Sequence, residues 1–137
     1  MGALAVSPGR KHIALYIRLR GRNLTGLDTR DFLQQMLLHI RGPLVLLWDR
    51  GSIHRRKEVK QFILEHPRLH VEYFPGYAPE LNPAEYVWNQ TDRALANSVS
   101  EDLHELGGML RGSVRRLRHS QKLLWSCIHA SELPWTR

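Results

Sequence analysis

The 137 residues include a single cysteine, Cys127. An intramolecular disulfide is therefore excluded, and so is a zinc site built on cysteines. The thiol reads as a small buried hydrophobe on a helix. No apolar run approaches the roughly 18 residues that cross a bilayer as a helix. Met1 to Val6 is too short and too poorly flanked for a secretion signal. Internal repeats, low-complexity tracts and a clear linker are missing as well. The eight histidines show no metal-ligand spacing on any one helix face. These absences together lead us to expect a soluble protein of a reducing, cytoplasmic compartment with no membrane contact. One domain, or a fragment of one, is expected at this length.

What is present is ordinary globular composition, 42% hydrophobic and 24% charged. Lys and Arg outnumber Asp and Glu by 20 to 13, a net charge of +7. That surplus favours a polyanionic partner, of which nucleic acid is the commonest. The densest basic stretch, Arg111 to Lys122, contains Arg115, Arg116 and Arg118. It reads equally as a solvated helix face and as a phosphate-contacting one.

Along the chain, Ala3 to Ser7 and His12 to Leu19 are short runs separated by Pro8-Gly9, and Ile13, Leu15 and Ile17 alternate as in a strand. After a turn-rich connection from Arg20 to Gly26, a helix capped by Asp28 or Thr29 carries the stripe Phe32, Leu33, Met36, Leu37 and Ile40. Gly42 and Pro43 stop it. Leu44 to Trp48 is a continuous apolar run of strand length, the pattern of a strand buried on both faces. A helix from Arg55 to His66 follows, with Val59, Phe62 and Ile63 at helical spacing, then a strand from Leu69 to Phe74. The loop Pro75 to Leu81 leads into a helix starting at Pro83. Further helices are expected over Glu101 to His119, with Leu103, Leu106, Leu110, Val114 and Leu117 as its stripe, and over Gln121 to His129. Gly107, Gly108 and Gly112 weaken the first of these. Ser131 to Arg137 reads as an exposed tail. Alternating strands and helices indicate an α/β fold with at least part of its sheet parallel.

Two segments carry the candidate chemistry. In Leu46-Leu47-Trp48-Asp49-Arg50-Gly51-Ser52-Ile53-His54, an acid ends a strand, where open α/β folds place their ligands. An aspartate that only shapes the turn is the alternative. In Tyr77-Ala78-Pro79-Glu80-Leu81-Asn82-Pro83-Ala84-Glu85-Tyr86-Val87-Trp88, Asn82 suits an N-cap, Pro83 the first helical position and Glu85 the third. Glu85 could then bond back to the cap's own amide, or face a neighbouring strand end as Trp88 packs inward. Asp49 and Glu85 are 85 − 49 = 36 positions apart, with a helix, a strand and a loop between. Such a crossover can bring two acids to one sheet edge. Carboxylates gathered there repel unless a hard divalent cation, Mg²⁺ or Mn²⁺, sits between them.

These residues resemble the DDE superfamily endonuclease domain of mariner-related bacterial insertion-sequence transposases. The likeness runs from about Ser7 to Ala96 and is most specific in "YAPELNPAEYVW". It implies a ribonuclease-H-like fold, a three-layer arrangement of sheet and flanking helices, and cut-and-paste DNA strand transfer with two divalent metals. Asp49 matches the second acid of the family triad and Glu85 the third. His54 matches the motif histidine, which orients the loop or contacts phosphate, while Asn82 and Trp88 match supporting helix-start residues. Arg50 stands where the family usually has Asn, and Ser52 where it often has Pro. The family's first acid lies on an early strand, whereas Met1 to Leu27 contains no Asp or Glu. The expectation is thus a fold incomplete at its N-terminus, with a partial catalytic domain over 1–98 and a C-terminal helical extension over 99–137.

Three functional readings follow. The first is a transposase nuclease, nearly inactive alone and completed by an upstream fragment that brings the first Asp. The second is an inactive transposase-derived module holding DNA through charge, with Arg50, Arg55, Arg56, Arg115, Arg116 and Arg118 as candidate contacts. The third is a small basic interaction protein in which Asp49 and Glu85 merely shape a turn and a cap. DNA, at transposon ends and target, is the expected partner; a second copy of the chain is a further candidate, and the bacterial nucleoid the expected location.

Overall fold

The computed structural model describes residues 1–19, 23–96 and 102–133. In chain order the elements are β1 (Gly2–Val6), β2 (Ile13–Ile17), α1 (Gly26–His39), β3 (Leu44–Trp48), α2 (Lys57–Glu65), β4 (Leu69–Tyr73), α3 (Pro83–Ala96), α4 (Leu103–Arg118) and α5 (Gln121–Ala130). Short 3-10 turns stand at Ser52–Arg55 and Pro79–Leu81. The chain divides into two compact units, one of Met1 with Arg18–Ala78, the other of Gly2–Ile17 with Pro79–Arg137.

In the unit that holds Asp49, α1 starts earlier than expected. Thr25, not Asp28 or Thr29, is the cap: its hydroxyl accepts from the Asp28 amide at 3.3 Å, and the Asp28 carboxylate accepts from the Thr25 amide at 2.8 Å. Each side chain serves the other's backbone, a reciprocal arrangement that a lone cap at 28 would forgo. At the far end, the Arg68 guanidinium donates to the carbonyls of Ile40 at 2.6 Å and Gly42 at 2.9 Å, and also to that of Leu37. Those of Leu37 and Ile40 are carbonyls that a helix end leaves without an internal partner.

β3 and β4 pair in parallel, in register from Leu44↔Leu69 to Trp48↔Tyr73, as the alternation of elements implied. Leu44, Leu46, Trp48, Leu69 and Val71 pack with Leu33 and Leu37 of α1 and Val59 and Phe62 of α2. The expectation that β3 is buried on both faces fails. Val45 is 60% exposed and Leu47 45%, because both helices pack against the face that carries Leu44, Leu46 and Trp48.

In the other unit, β1 and β2 form an antiparallel hairpin from Gly2↔Ile17 to Val6↔Ile13. Ser7 closes its turn, its hydroxyl accepting from the amides of Lys11 and His12. The outer edge of β2 is bonded by side chains rather than by a strand. Gln121 accepts from the Ile13 amide at 2.9 Å and donates to the Ile13 carbonyl at 2.8 Å, and Arg118 Nε donates to the Leu15 carbonyl at 3.2 Å. Ile13 and Leu15 pack with Val87, Val114, Leu117, Leu124 and Cys127. Cys127 is the buried helical hydrophobe expected, and burial pushes its thiol up.

α4 runs unbroken through its three glycines, capped by the Asp102 carboxylate on the Glu105 amide at 2.7 Å and held by the buried Val114 and Leu117. Its expected stripe is shorter, however: Leu103 is 85% exposed and Leu106 37%. Ser131, expected in an exposed tail, is buried and donates to the Ile128 carbonyl. The rest of that tail from residue 134, the expected helix start at Glu101 and residues 20–22 of the first connection lie outside the described residues.

Candidate functional site

Asp49 follows β3 directly, so it stands at the carboxyl edge of a parallel strand pair. Its Oδ1 accepts from the Gly51 amide at 2.9 Å. This is the turn-shaping role that the sequence left open, but it occupies one oxygen only. His54 reaches the same oxygen through Nδ1 at 3.2 Å, and lies 3.1 Å from the Asp49 carbonyl. Both neighbours of Nδ1 are acceptors, so Nδ1 carries the hydrogen and donates. The imidazole is stacked on Trp48, with centroids 4.0 Å apart and planes within 5°. Asp49 Oδ2 has no hydrogen-bond partner among the described residues, and the side chain is 58% exposed. The turn role therefore occupies one oxygen of the carboxylate and leaves the other open.

Gly51 lets the Asp49 carboxylate approach closely. A Cβ there would lie 2.9 Å from Asp49 Oδ1, closer than real carbon and oxygen atoms approach. Neither Gly51 nor Trp48 stood out in the sequence reading. The spacing Asp-x-Gly, in which a side-chain oxygen meets the amide two residues on, was the available signal for the first. Trp48, the last strand residue, offered no comparable signal. Arg50, Arg55 and Arg56 are exposed around this turn, and the Arg50 guanidinium stands 6.0 Å from the Tyr73 ring centroid.

In the other unit, Glu85 lies in the first turn of α3. The capping box, one of the two readings of Glu85, does not form. The Asn82 amide already donates to the Pro79 carbonyl at 3.0 Å, inside the 3-10 turn, so it has no call on Glu85. Asn82 still caps the helix, its Oδ1 accepting from the Ala84 amide at 3.1 Å. The Glu85 side chain is exposed and makes no hydrogen bond among the described residues. Trp88 packs its ring against Gly2 of β1, where a Cβ would come within 3.1 Å of the indole. Arg115 and Arg116 are exposed on α4, whereas Arg118 spends Nε on β2.

Asp49, His54 and Arg50 thus stand together in one unit, and Asn82, Glu85 and Trp88 in the other. Among the described residues, no three His, Cys, Asp or Glu side chains are grouped as a metal-ion cluster. No described helix is long and apolar enough to cross a membrane.

A family model described as DDE superfamily endonuclease matches residues 11–107. The chain belongs to the DDE superfamily endonucleases. Both motif segments, 46–54 and 77–88, fall inside the matched stretch. Among solved structures it is similar to the catalytic domain of the Mos1 mariner transposase, at 16% identity and a TM-score of 0.62. That match covers 86% of this chain and 61% of the other, so the DDE superfamily chain spans about three fifths of its solved counterpart. The likeness shows the fold, which is ribonuclease-H-like α/β as expected. No curated protein gives a significant match.

Proposed function

We propose that this chain supplies two carboxylates, Asp49 and Glu85, to a divalent-metal centre for DNA strand cleavage and transfer in transposition. The observation that carries the reading is the Asp49 carboxylate, one oxygen held by Gly51 and His54 and the other open. The exposed Glu85 carboxylate supports it, since the helix start does not use it. Oxygen donors of this kind fit Mg²⁺ or Mn²⁺. Such ions, when bound, activate a water or a 3′-hydroxyl and stabilise the leaving oxygen.

The chain's own residues do the rest. Gly51 and His54 fix the direction of the Asp49 carboxylate, and Trp48 holds the imidazole plane. Arg50, Arg55 and Arg56 neutralise backbone phosphates, with Arg115 and Arg116 as a second basic patch. No acid precedes Asp28, so the first carboxylate of the family triad would come from a segment outside these residues or from a second chain. The chain alone would then cleave slowly, and its place would be the bacterial nucleoid.

Calorimetric Mn²⁺ titration of the wild type, Asp49→Asn and Glu85→Gln tests the reading. Loss of an outer-shell partner costs a metal site about 10- to 100-fold in affinity, so loss of a direct ligand should cost no less in either variant. Unchanged Mn²⁺ affinity in both, with the fold intact by circular dichroism, would leave the third reading: turn and helix-start residues with no metal.

A further inference from the structure

β3 and β4 end level. Trp48 stands opposite Tyr73 in the parallel register, and the Phe74 amide donates to the Trp48 carbonyl at 2.9 Å. The loop after β4 therefore leaves the sheet at the edge that carries Asp49, within the same unit. Tyr77, in that loop, is fully exposed, with a backbone φ of 56°. A bulky residue in the left-handed region is strained, and here no burial offsets the strain. Four residues from Tyr73, its Cα lies at most about 14 Å from that strand end. That is the length of about four stacked nucleotides at 3.4 Å each.

The same edge holds a second phenol ring and three guanidinium groups. Tyr73 is 44% exposed, the Arg50 guanidinium stands 6.0 Å from its ring centroid, and Arg55 and Arg56 follow in the adjoining turn. Exposed rings interleaved with arginines suit unpaired nucleotides: bases stack on the rings while guanidinium groups take the phosphates. A base already stacked inside a duplex has no free face to offer a ring at a loop tip.

We propose that Tyr77 is a stacking platform for an unpaired base of the DNA strand engaged at Asp49, with Arg50 and Tyr73 forming a second contact. The proposal rests on the nuclease reading for the identity of the strand, but the stacking itself needs no metal.

The test is binding of a short oligonucleotide carrying 2-aminopurine, single-stranded and as a duplex of the same sequence, in EDTA throughout. The wild type should bind the single strand more tightly and quench the probe. Tyr77→Phe keeps the ring and should retain both effects. Tyr77→Asn removes the ring while tolerating the left-handed backbone; it should lose the quenching and about 5- to 100-fold in affinity. Wild-type binding by Tyr77→Asn, equal loss in both variants, or a wild-type preference for duplex would each overturn the proposal. Because metal is absent, such a failure removes the stacking site alone. Unchanged Mn²⁺ affinity in both Asp49→Asn and Glu85→Gln removes the metal reading alone.

Discussion

A carboxylate can order its own loop and still bind a cation if the two duties fall on separate oxygens. Asp49 has that division: Gly51 and His54 meet Oδ1, and Oδ2 stays open. Stacking on Trp48 restricts the imidazole, so the contact is made by a ring already held in place. Gly51→Ala probes this directly. Gly51 has φ −56°, which alanine adopts without strain. The added methyl instead meets Asp49 Oδ1 at 2.9 Å, and the carboxylate, a flexible side-chain end, is what gives way. Thermal stability should change little while Mn²⁺ affinity falls by about tenfold or more, in the range of other outer-shell changes. Calorimetry paired with a thermal melt checks both halves, and unchanged affinity would mean that the direction of the carboxylate is not set here.

Among the elements, α1 depends on a residue far along the chain. Arg68, just before β4, bonds two carbonyls at the end of α1 and that of Gly42 just beyond it, linking a helix end to the strand pair it covers. Arg68→Met should lower the unfolding free energy by about 2 kcal/mol, as expected when part-buried acceptors lose a charged donor. Arg68→Lys should recover only part, because an ammonium lacks the planar fork. Urea denaturation reads both, and an unchanged midpoint in Arg68→Met would contradict the capping role. No periodicity could have pointed to Arg68, since helix capping from 28 residues away leaves no local pattern. The strands and helices themselves were largely legible, because their apolar spacing is local. Errors arose where burial depends on what lies opposite: Val45 and Leu47 on β3, Leu103 and Leu106 on α4. The α1 cap was legible after all, in the spacing of Thr25 and Asp28, a box with aspartate at its third position.

At the scale of the whole molecule, membership of the DDE superfamily endonucleases is carried by residues 11–107 and the fold by the likeness to a mariner transposase catalytic domain. The two short motifs were legible because each sets particular residue types at fixed spacing: an acid at a strand end, and an acid in the first turn of a helix opened by Asn-Pro. The structure adds how each acid is held. Asp49 keeps one oxygen open, and the Asn82 amide, bonded to Pro79, leaves Glu85 unused by its helix. The proposed function requires that both carboxylates reach the same ion. Replacing Mn²⁺ with Fe²⁺ and adding ascorbate and peroxide cuts a polypeptide close to the bound metal. The expected result is cutting near both Asp49 and Glu85, suppressed in parallel by excess Mg²⁺. Cutting confined to one of the two positions, or unaffected by Mg²⁺, would contradict a shared ion.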